Sequence, residues 1–400
     1  MHRRNIMLGL GALATHEAAA ATMPWLSADL PDGTRAEAHL VQIPGKQPLI
    51  QLSDRPPNLE TPIQAFRTAI TPNDQFFVRY HLAGIPDAKS LESWKLEVGG
   101  DAAERSVTFG MRQLNDLPQT EITAVCQCSG NRRGVSQPHV PGVEWGYGAM
   151  GCATWHGPRL RDVLHSAGLK PEAVEIWING VDEPVLPTTP PFHKSLPLAK
   201  ALADETIIAT TMNGGPLPLL NGFPVRLIVP GWTSTYWMKH LSSITISSRP
   251  IDNFWMTKAY RVPAGMFAVP DPFTTQNNTA TWPITDIVVN SLIASPVGGD
   301  QVDRSGFTVR GVAWDSGNGI SRVDVSLDGG GSWQSALLDR DLGRYAFRTF
   351  SLDTGPLSRG SIELRVRATS NSHETQSDAW KVNPAGYQNN VPQRLTVTVV

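Results

Sequence analysis

Cysteine is scarce in this chain, and long hydrophobic runs and an excess of charge of one sign are missing. With 3 Cys in 400 residues, the sequence lacks the paired-cysteine spacings that bind zinc, iron–sulfur clusters or c-type haem. The formal net charge of −2 argues against a nucleic-acid binder. No segment reaches the roughly 20 apolar residues of a membrane-spanning helix, so the sequence predicts no membrane span.

Length and composition describe a globular protein rich in strands and loops. Hydrophobic residues make up 40% and charged residues 18% of the chain, as in ordinary globular proteins. The 400 residues are enough for two or three domains. With 35 Gly, 32 Pro and 12 Trp, a β-rich fold is favoured over a helical one.

The N-terminus is typical of an export signal. Arg3 and Arg4 form a twin-arginine pair, a short apolar run follows at residues 9–15, and small residues suited to cleavage follow at 18–21. The alternative is a disordered tail with a chance arginine pair. Residues 1–22 are therefore predicted to be a twin-arginine-type signal segment, which would place the protein in a bacterial periplasm.

Local patterns predict the elements of the first part of the chain. Residues 30–75 are proline-rich and predicted to be irregular, and residues 73–82 are predicted to form a strand. Apolar spacing predicts a helix over residues 158–168, ended by glycine. Proline predicts a surface loop at 184–197 and a connection at 262–283. Further strands are predicted at residues 93–99, 173–179 and 223–230.

The texture changes in the last part of the chain, where short alternating segments follow one another. Residues 307–314, 321–327 and 362–368 alternate apolar and polar side chains. Residues 328–332 carry the glycines of a hairpin turn. The pattern over residues 286–400 predicts an immunoglobulin-like β-sandwich without its usual disulfide.

Cys128 lies in the most informative motif, the run Ala124-Val-Cys-Gln-Cys-Ser-Gly-Asn-Arg-Arg-Gly134. A free cysteine is often only a small buried hydrophobic residue. Here the following arginines favour the thiolate, which is the form that binds metal. Gly130 and Asn131 suit a tight turn with positive φ. The motif leaves both a metal ligand and a packed thiol open.

Positive charge recurs at other places along the chain. Arg79 and His81 share one face of a predicted strand, which suits an anion site, although a half-exposed strand also alternates. Arg226 lies in an apolar strand, so a buried anion must satisfy it. That anion is either a phosphate shared with Lys239 or an acidic side chain. Tyr260 is either a packing residue or a hydroxyl donor beside an oxyanion.

In their order, these motifs resemble the sulfite oxidase family of molybdenum enzymes, in its bacterial, haem-free sulfite dehydrogenase form. The similarity is carried by Phe-Phe-Val-Arg-x-His, Cys-Ser-Gly-Asn-Arg-Arg, Met-Asn-Gly, Gly-Phe-Pro-Val-Arg and Pro-Gly, and continues to the C-terminus. The resemblance implies an α+β chain. A mixed α/β molybdopterin-binding catalytic domain of the sulfite oxidase type would span residues 23–282. An immunoglobulin-like β-sandwich dimerisation domain would span residues 283–400.

The resemblance also implies roles for single residues. Cys128 resembles the cysteine that ligates molybdenum beside one molybdopterin, as soft sulfur ligands favour. Arg79, Arg133 and Tyr260 resemble the residues that bind the substrate. The positions that resemble the family's cofactor-binding residues are Phe77, Val78, Arg79, Tyr80, His81, Cys128, Asp182, Asn221, Arg226, Trp237, Met238 and Lys239.

Some positions depart from the family pattern. Asn221 stands where many relatives have histidine, and Asn383 stands where the animal form has a substrate-binding arginine. Lys381 could replace that missing charge. Cys126 and Cys152 match no family ligand, and both a disulfide between them and a pair of buried thiols remain open.

The resemblance predicts the oxidation of sulfite to sulfate, with electrons passed to a separate periplasmic c-type cytochrome. It predicts molybdenum with one molybdopterin, no haem, and a homodimer. Reduction of nitrate or of other S- or N-oxides on the same fold is an alternative, because a fold does not decide a function. An exported binding or adhesion protein is a further alternative, but it leaves Cys128, Arg79 and Arg226 unexplained.

Overall fold

A computed structural model describes residues 39–269 and 273–400. Strands dominate and the helices are short, which confirms the predicted α+β class. The predicted signal segment at residues 1–22 lies outside the described residues. Within the described residues, no helix is both long and apolar enough to cross a membrane.

Many short strands build the first part of the chain. They are β1 (His39–Val41), β2 (Leu49–Ser53), β3 (Asn58–Glu60), β4 (Val78–Arg79), β5 (Leu96–Gly99), β6 (Val107–Phe109), β7 (Gln119–Gln127), β8 (Met150–Pro158), β9 (Glu175–Gly180), β10 (His193–Pro197), β11 (Ile207–Ala209), β12 (Thr211–Met212), β13 (Gly215–Pro216), β14 (Arg226–Ile228), β15 (Leu241–Ser247), β16 (Arg261–Pro263) and β17 (Thr281–Pro283). The α-helices are α1 (Met111–Asp116), α2 (Leu160–Ala167), α3 (Leu198–Ala201) and α4 (Phe254–Thr257).

In the described residues these strands form one five-stranded sheet, two four-stranded sheets and two two-stranded sheets. One sheet has the order β10-β9-β15-β5-β6, in which only the β15–β5 pair is parallel. A second has the order β13-β12-β8-β7, and its long β7–β8 hairpin carries the Cys128 motif at one end. A third, small antiparallel sheet, β1-β2-β3-β4, brings in the strand that carries Arg79.

Helix α2 forms where the apolar spacing predicted it. Leu160, Val163, Leu164 and Ala167 are all fully buried, so one stripe of the helix faces the core. Gly168, at φ 72°, ends the helix, because glycine enters the left-handed region without a steric cost.

The last part of the chain is a two-sheet sandwich, as the alternation predicted. Its strands are β18 (Asn290–Ser295), β19 (Gln301–Val302), β20 (Thr308–Trp314), β21 (Ile320–Ser326), β22 (Gln334–Ser335), β23 (Leu337–Leu338), β24 (Arg348–Asp353), β25 (Gly360–Ser370) and β26 (Gln393–Val399). One sheet has the order β18-β20-β24-β23 and the other β19-β26-β25-β21-β22. The predicted glycine-rich hairpin joins β21 to β22.

One hydrophobic cluster spans both parts of the chain. Phe66, Val125 and Cys152 of the first part pack with Trp314 and Phe347 of the sandwich. All five side chains are at most 1% exposed, and burial of aromatic and aliphatic groups on this scale makes a strong junction. The cluster lies behind β7, so the sandwich supports the strand that leads into the Cys128 motif.

Three local predictions were wrong, because pairing with distant strands overrides local composition. The proline-rich residues 30–75 contain strands β1 to β3, which pair with one another. The predicted surface loop at 184–197 ends in β10, where pairing with β9 holds Lys194 fully buried. The predicted strand at 73–82 is reduced to Val78–Arg79, because its partner β3 is short.

The predicted connection at 262–283 begins and ends in strands that pair with each other, β16 and β17. Residues 270–272, inside it, lie outside the described residues. The boundary between residues 282 and 283 stays a prediction.

Candidate active site

A cavity lies beside the end of β7, and residues from distant parts of the chain line it. They are Phe77, Arg79, Tyr80, His81, Cys128, Ser129, Asp182, Phe192, Leu220, Asn221, Arg226, Ser234, Thr235, Trp237, Met238, Lys239 and Tyr260. Every predicted cofactor-binding residue except Val78 is among them. Val78 is buried instead in a small cluster with Leu49 and Leu59.

The Cys128 thiol stands at the cavity wall, just beyond the last residue of β7. Its backbone N–H donates to Ala149 O at 2.9 Å, which extends the β7–β8 pairing by one residue. The side chain is 6% exposed. A short turn follows, in which Asn131 N–H donates to Cys128 O at 3.0 Å. The thiol is therefore presented from a rigid hairpin end.

The turn after Cys128 differs from its prediction. The left-handed residue is Arg132, at φ 68°, and neither Gly130 nor Asn131 has a positive φ. Glycine at position 130 leaves room for the Arg133 guanidinium, because an added Cβ would lie 2.5 Å from it and would have to displace it. The Asn131 side chain accepts from Ala149 N–H at 3.1 Å and so braces the turn from inside.

Glu60 anchors the segment that faces this turn. Its two carboxylate oxygens accept from Gly146 N–H at 2.7 Å and from Gly148 N–H at 2.8 Å. The side chain is 4% exposed, and burial raises its pKa to about 7. Since Arg132 N–H donates to Gly146 O at 2.8 Å, this anchor also supports the Cys128 turn.

Arg79, His81 and Tyr260 meet at one end of the cavity. Arg79 Nη2 lies 3.5 Å from the Tyr260 hydroxyl, and His81 Nε2 forms a hydrogen bond with the same hydroxyl. Burial and the Arg79 charge keep the pKa of His81 well below its usual value, so this imidazole is neutral. The His81 ring stacks on Phe192 at 3.8 Å between centroids, which fixes its plane.

Arg226 and Lys239 provide positive charge on another wall. Arg226 donates to Trp237 O, Asn221 O and the Cys126 sulfur at 3.2, 3.2 and 3.3 Å, none of which is a carboxylate. Lys239 donates to Arg79 O at 2.7 Å. Burial and the neighbouring Arg226 lower the pKa of Lys239, as expected for cations gathered without enough negative charge.

Asn221 connects the cavity to a buried lysine that the sequence patterns did not indicate. Its amide donates to Phe77 O at 2.9 Å, and its carbonyl accepts from Lys46. Lys46 is 4% exposed and also donates to Phe76 O at 3.0 Å. Because Lys46 comes from the segment predicted to be irregular, no sequence signal pointed to it.

Neither arginine of the Cys128 motif lines the cavity, and both donate to backbone carbonyl groups. Arg133 donates to Ala385 O and Val143 O, both at 2.8 Å, and Arg132 donates to Val391 O at 3.0 Å. Arg133, predicted to bind substrate, is not among the residues that line the cavity. The destination of a long side chain depends on tertiary carbonyl groups, which the motif alone does not reveal.

Asn383 stands where the animal form has a substrate-binding arginine, and its side chain bonds within its own turn. Asn383 is 2% exposed and bonds to the backbone of Tyr387. Lys381 points to Met266 O and the Phe267 ring and is absent from the cavity lining. It does not replace the arginine charge in the cavity. Cys126 and Cys152 are buried free thiols.

Two known domain families match the two parts of the chain. The Oxidoreductase molybdopterin binding domain family matches residues 82–255, and the Mo-co oxidoreductase dimerisation domain family matches residues 281–400. Mitochondrial sulfite oxidase of Homo sapiens is 34% identical over 375 residues, which cover 89% of this chain and 67% of the human protein. The chain belongs to the sulfite oxidase family.

Two further relatives agree with this assignment. Sulfite oxidase of Arabidopsis thaliana is 31% identical over 326 residues, covering 78% of this chain and 81% of the plant protein. The crystal structure of the sulfane dehydrogenase SoxCD from Paracoccus pantotrophus has a TM-score of 0.74 and 24% identity, and the match covers 98% of this chain and 96% of that one. That likeness supports the fold of a sulfite oxidase family member.

The cavity residues fit the molybdopterin cofactor of the sulfite oxidase family. The hydroxyls of Ser129 and Thr235 are buried, and the described residues offer them no hydrogen-bond partner; a polar ligand would satisfy both. Cys128 offers one soft ligand, and no group of three or more His, Cys, Asp or Glu in the described part of the chain is placed to hold a metal by itself. A metal brought in by a dithiolene cofactor suits a single thiolate.

Replacement of Arg226 by methionine is expected to reduce cofactor retention in this family member. A hydrogen bond to a charged group contributes about 1.5–3 kcal/mol. If Arg226 bonds a charged group of the cofactor, its loss should lower cofactor affinity about 10- to 100-fold. Molybdenum is measured by mass spectrometry and released pterin by fluorescence. The control is R365M, which removes an arginine of the sandwich that pairs with Glu363 at 2.7 Å. Equal cofactor content in R226M and R365M would contradict the assignment.

Proposed function

We propose that this protein oxidises sulfite to sulfate with a molybdenum–molybdopterin cofactor and passes the electrons to a separate c-type cytochrome. The observation that carries the proposal is the convergence of Arg79, His81 and Tyr260 at the cavity that also exposes the Cys128 thiol. Sequence relatives named sulfite oxidase support the choice of substrate.

When bound, the cofactor supplies the two-electron oxidation, and the protein supplies ligation, binding and orientation. Cys128 would ligate the molybdenum, while Arg226 and Lys239 would pair with the phosphate of the pterin. The buried hydroxyls of Ser129 and Thr235 would hydrogen-bond the same cofactor.

Sulfite would be bound by Arg79 and Tyr260. The Arg79 guanidinium donates to oxygen atoms of the anion, and the Tyr260 hydroxyl donates to an oxygen whose charge grows during the reaction. With its neutral ring protonated at Nε2, His81 would donate to the Tyr260 oxygen and so orient the hydroxyl proton towards the anion. Donors that are already in place lower the barrier, because no reorganisation is needed during the reaction.

We also propose export by the twin-arginine route, a periplasmic location and a homodimer. The twin-arginine pattern at residues 1–22 supports export, because that route carries folded proteins with inserted cofactors. The match of residues 281–400 to a dimerisation domain supports the dimer. Cell fractionation with N-terminal sequencing tests the first two, and analytical ultracentrifugation tests the third.

Steady-state assays on protein of known molybdenum content test the function. Sulfite should reduce cytochrome c and ferricyanide at rates proportional to bound molybdenum, and the protein should show no haem absorption band. Turnover of nitrate with a reduced dye, in the absence of sulfite oxidation, would favour the nitrate or S-/N-oxide reductase alternative. A purified protein that contains no molybdenum, although it was made in a molybdopterin-competent host, would rule out both functions.

A further inference from the structure

Residues 383–389, which we call the Asn383 turn, form a compact loop beside the cavity. The Asn383 side chain closes it by accepting from Tyr387 N–H and donating to Tyr387 O, both at 2.9 Å. Gly386 has a φ of 62° and donates to Asn383 O at 3.1 Å. A side chain that bonds both backbone groups of one residue holds that residue in a single position.

The Asn383 turn is docked on the turn that carries the thiol. Gln388 N–H donates to Ser129 O at 3.1 Å, and Asn389 Nδ2 donates to Arg132 O at 3.3 Å. From the opposite direction, Arg133 Nε donates to Ala385 O at 2.8 Å. The position of the Asn383 turn is therefore set by the residues that immediately follow Cys128.

Tyr387 extends from this turn onto the ring of Tyr260. The two rings are nearly parallel, at 11°, with centroids 5.6 Å apart. Both residues are 8% exposed. The Arg133 guanidinium carbon lies 5.6 Å from the Tyr387 ring centroid, so the cation packs against the ring in the way that such pairs favour.

The conformation of Tyr260 must be held by its surroundings, which include Ile284 N–H donating to Tyr260 O at 2.9 Å. Tyr260 has a φ of 57°, in a region that costs a non-glycine residue of order 1 kcal/mol or more. A neighbouring ring that covers one side of the phenol limits its rotation and keeps the hydroxyl at His81 and Arg79.

We propose that Tyr387 is a positioning residue for Tyr260, and that the Arg133 guanidinium supports the Tyr387 ring. The Asn383 turn thus brings an aromatic ring, not a cation, to the substrate end of the cavity. The contribution of Tyr387 to sulfite turnover rests on the proposed function. The contribution of Tyr387 to the orientation of Tyr260 does not rest on the proposed function.

The effect of Tyr387 on sulfite kinetics is tested by making the same substitution in two backgrounds, the wild type and Y260F. Loss of an aromatic contact that orients a donor should lower kcat/KM for sulfite about 10-fold in Y387L. The same substitution should have no further effect in a Y260F background, where the hydroxyl is already gone. Y387F, which keeps the ring, should retain activity within about 2-fold of the wild type. Equal losses from Y387L in both backgrounds would overturn the proposal.

A spectroscopic measurement separates this proposal from the proposed function. In protein labelled with 3-fluorotyrosine, the fluorine spectrum has 6 tyrosines to resolve, and Y260F identifies the signal of Tyr260. Y387L should shift and broaden that signal, whereas Y345L should not. Tyr345 is a suitable control because it is also 8% exposed and its hydroxyl bonds to Glu205.

The two readouts fail in different ways. Absence of sulfite turnover in the wild type, with a Tyr260 signal that still responds to Y387L, would end the proposed function alone. A Tyr260 signal that is the same in Y387L and the wild type would end the positioning role of Tyr387, whatever the substrate.

Discussion

C128S is expected to abolish sulfite oxidation while the protein still folds. Serine has nearly the same size as cysteine, but its hydroxyl is a hard and weak ligand for a metal in a sulfur environment. Loss of an outer-shell partner alone costs about 10- to 100-fold in metal affinity or activity; loss of a direct ligand should exceed that. Turnover per bound molybdenum is the measurement that decides it.

The chain contains a matched control for this substitution. Cys152 is also buried and free, but it packs with Val125 and Trp314 in the cluster behind β7. C152S should lose some stability, because a polar hydroxyl replaces a thiol inside a buried apolar cluster, and should keep turnover per molybdenum. Full activity in C128S, or an equal loss in both variants, would remove Cys128 as the ligand.

R79Q should lower kcat/KM for sulfite about 100- to 1,000-fold, as removal of one preorganised donor to a developing oxyanion does. Arg79 is expected to act on the reacting anion, so kcat and kcat/KM should both fall. Molybdenum content should stay close to that of the wild type, since the cofactor phosphate is assigned to Arg226 and Lys239. Stopped-flow spectroscopy measures the rate at which sulfite reduces the enzyme, which is the step that Arg79 is expected to affect.

R322Q is the control for R79Q. The Arg322 side chain is 57% exposed and pairs with Asp324 in the sandwich, where surface ion pairs contribute little. If R79Q lost its molybdenum in proportion to its activity, Arg79 would belong to cofactor binding. Unchanged kinetics in R79Q would remove it from the site.

Sequence patterns located most of the candidate site because its residues lie in short local motifs. The Phe-Phe-Val-Arg-x-His motif indicated that Arg79 and His81 act together, and the structure brings both to Tyr260 although the strand is only Val78–Arg79. Directions of nearby side chains depend on local backbone geometry, which a motif encodes. The predicted proximity of Arg79 and His81 therefore holds although the predicted strand was too long.

Long-range placements could not be read in this way. The same motif suggested that Arg133 reaches the cavity, whereas carbonyl groups of Val143 and Ala385 hold it outside. Lys194 is fully buried only because β9 supplies a partner for a segment rich in proline. The ring of Tyr387 reaches Tyr260 through a turn whose closure depends on Asn383. Each outcome depends on residues far away in sequence.

The junction behind β7 has a consequence for any attempt to treat the two halves as exchangeable modules. Val125 N–H donates to Tyr345 O at 2.9 Å, and Trp314 Nε1 donates to Gln127 Oε1 at 2.6 Å. Both bonds cross between the halves at the strand that ends beside Cys128. A fragment that stops at residue 282 would expose the apolar back of β7 to water, and a chimera with a foreign sandwich would have to reproduce both contacts. The two halves therefore form one structural unit, in which a substitution on either side of the junction alters the contacts of the other side.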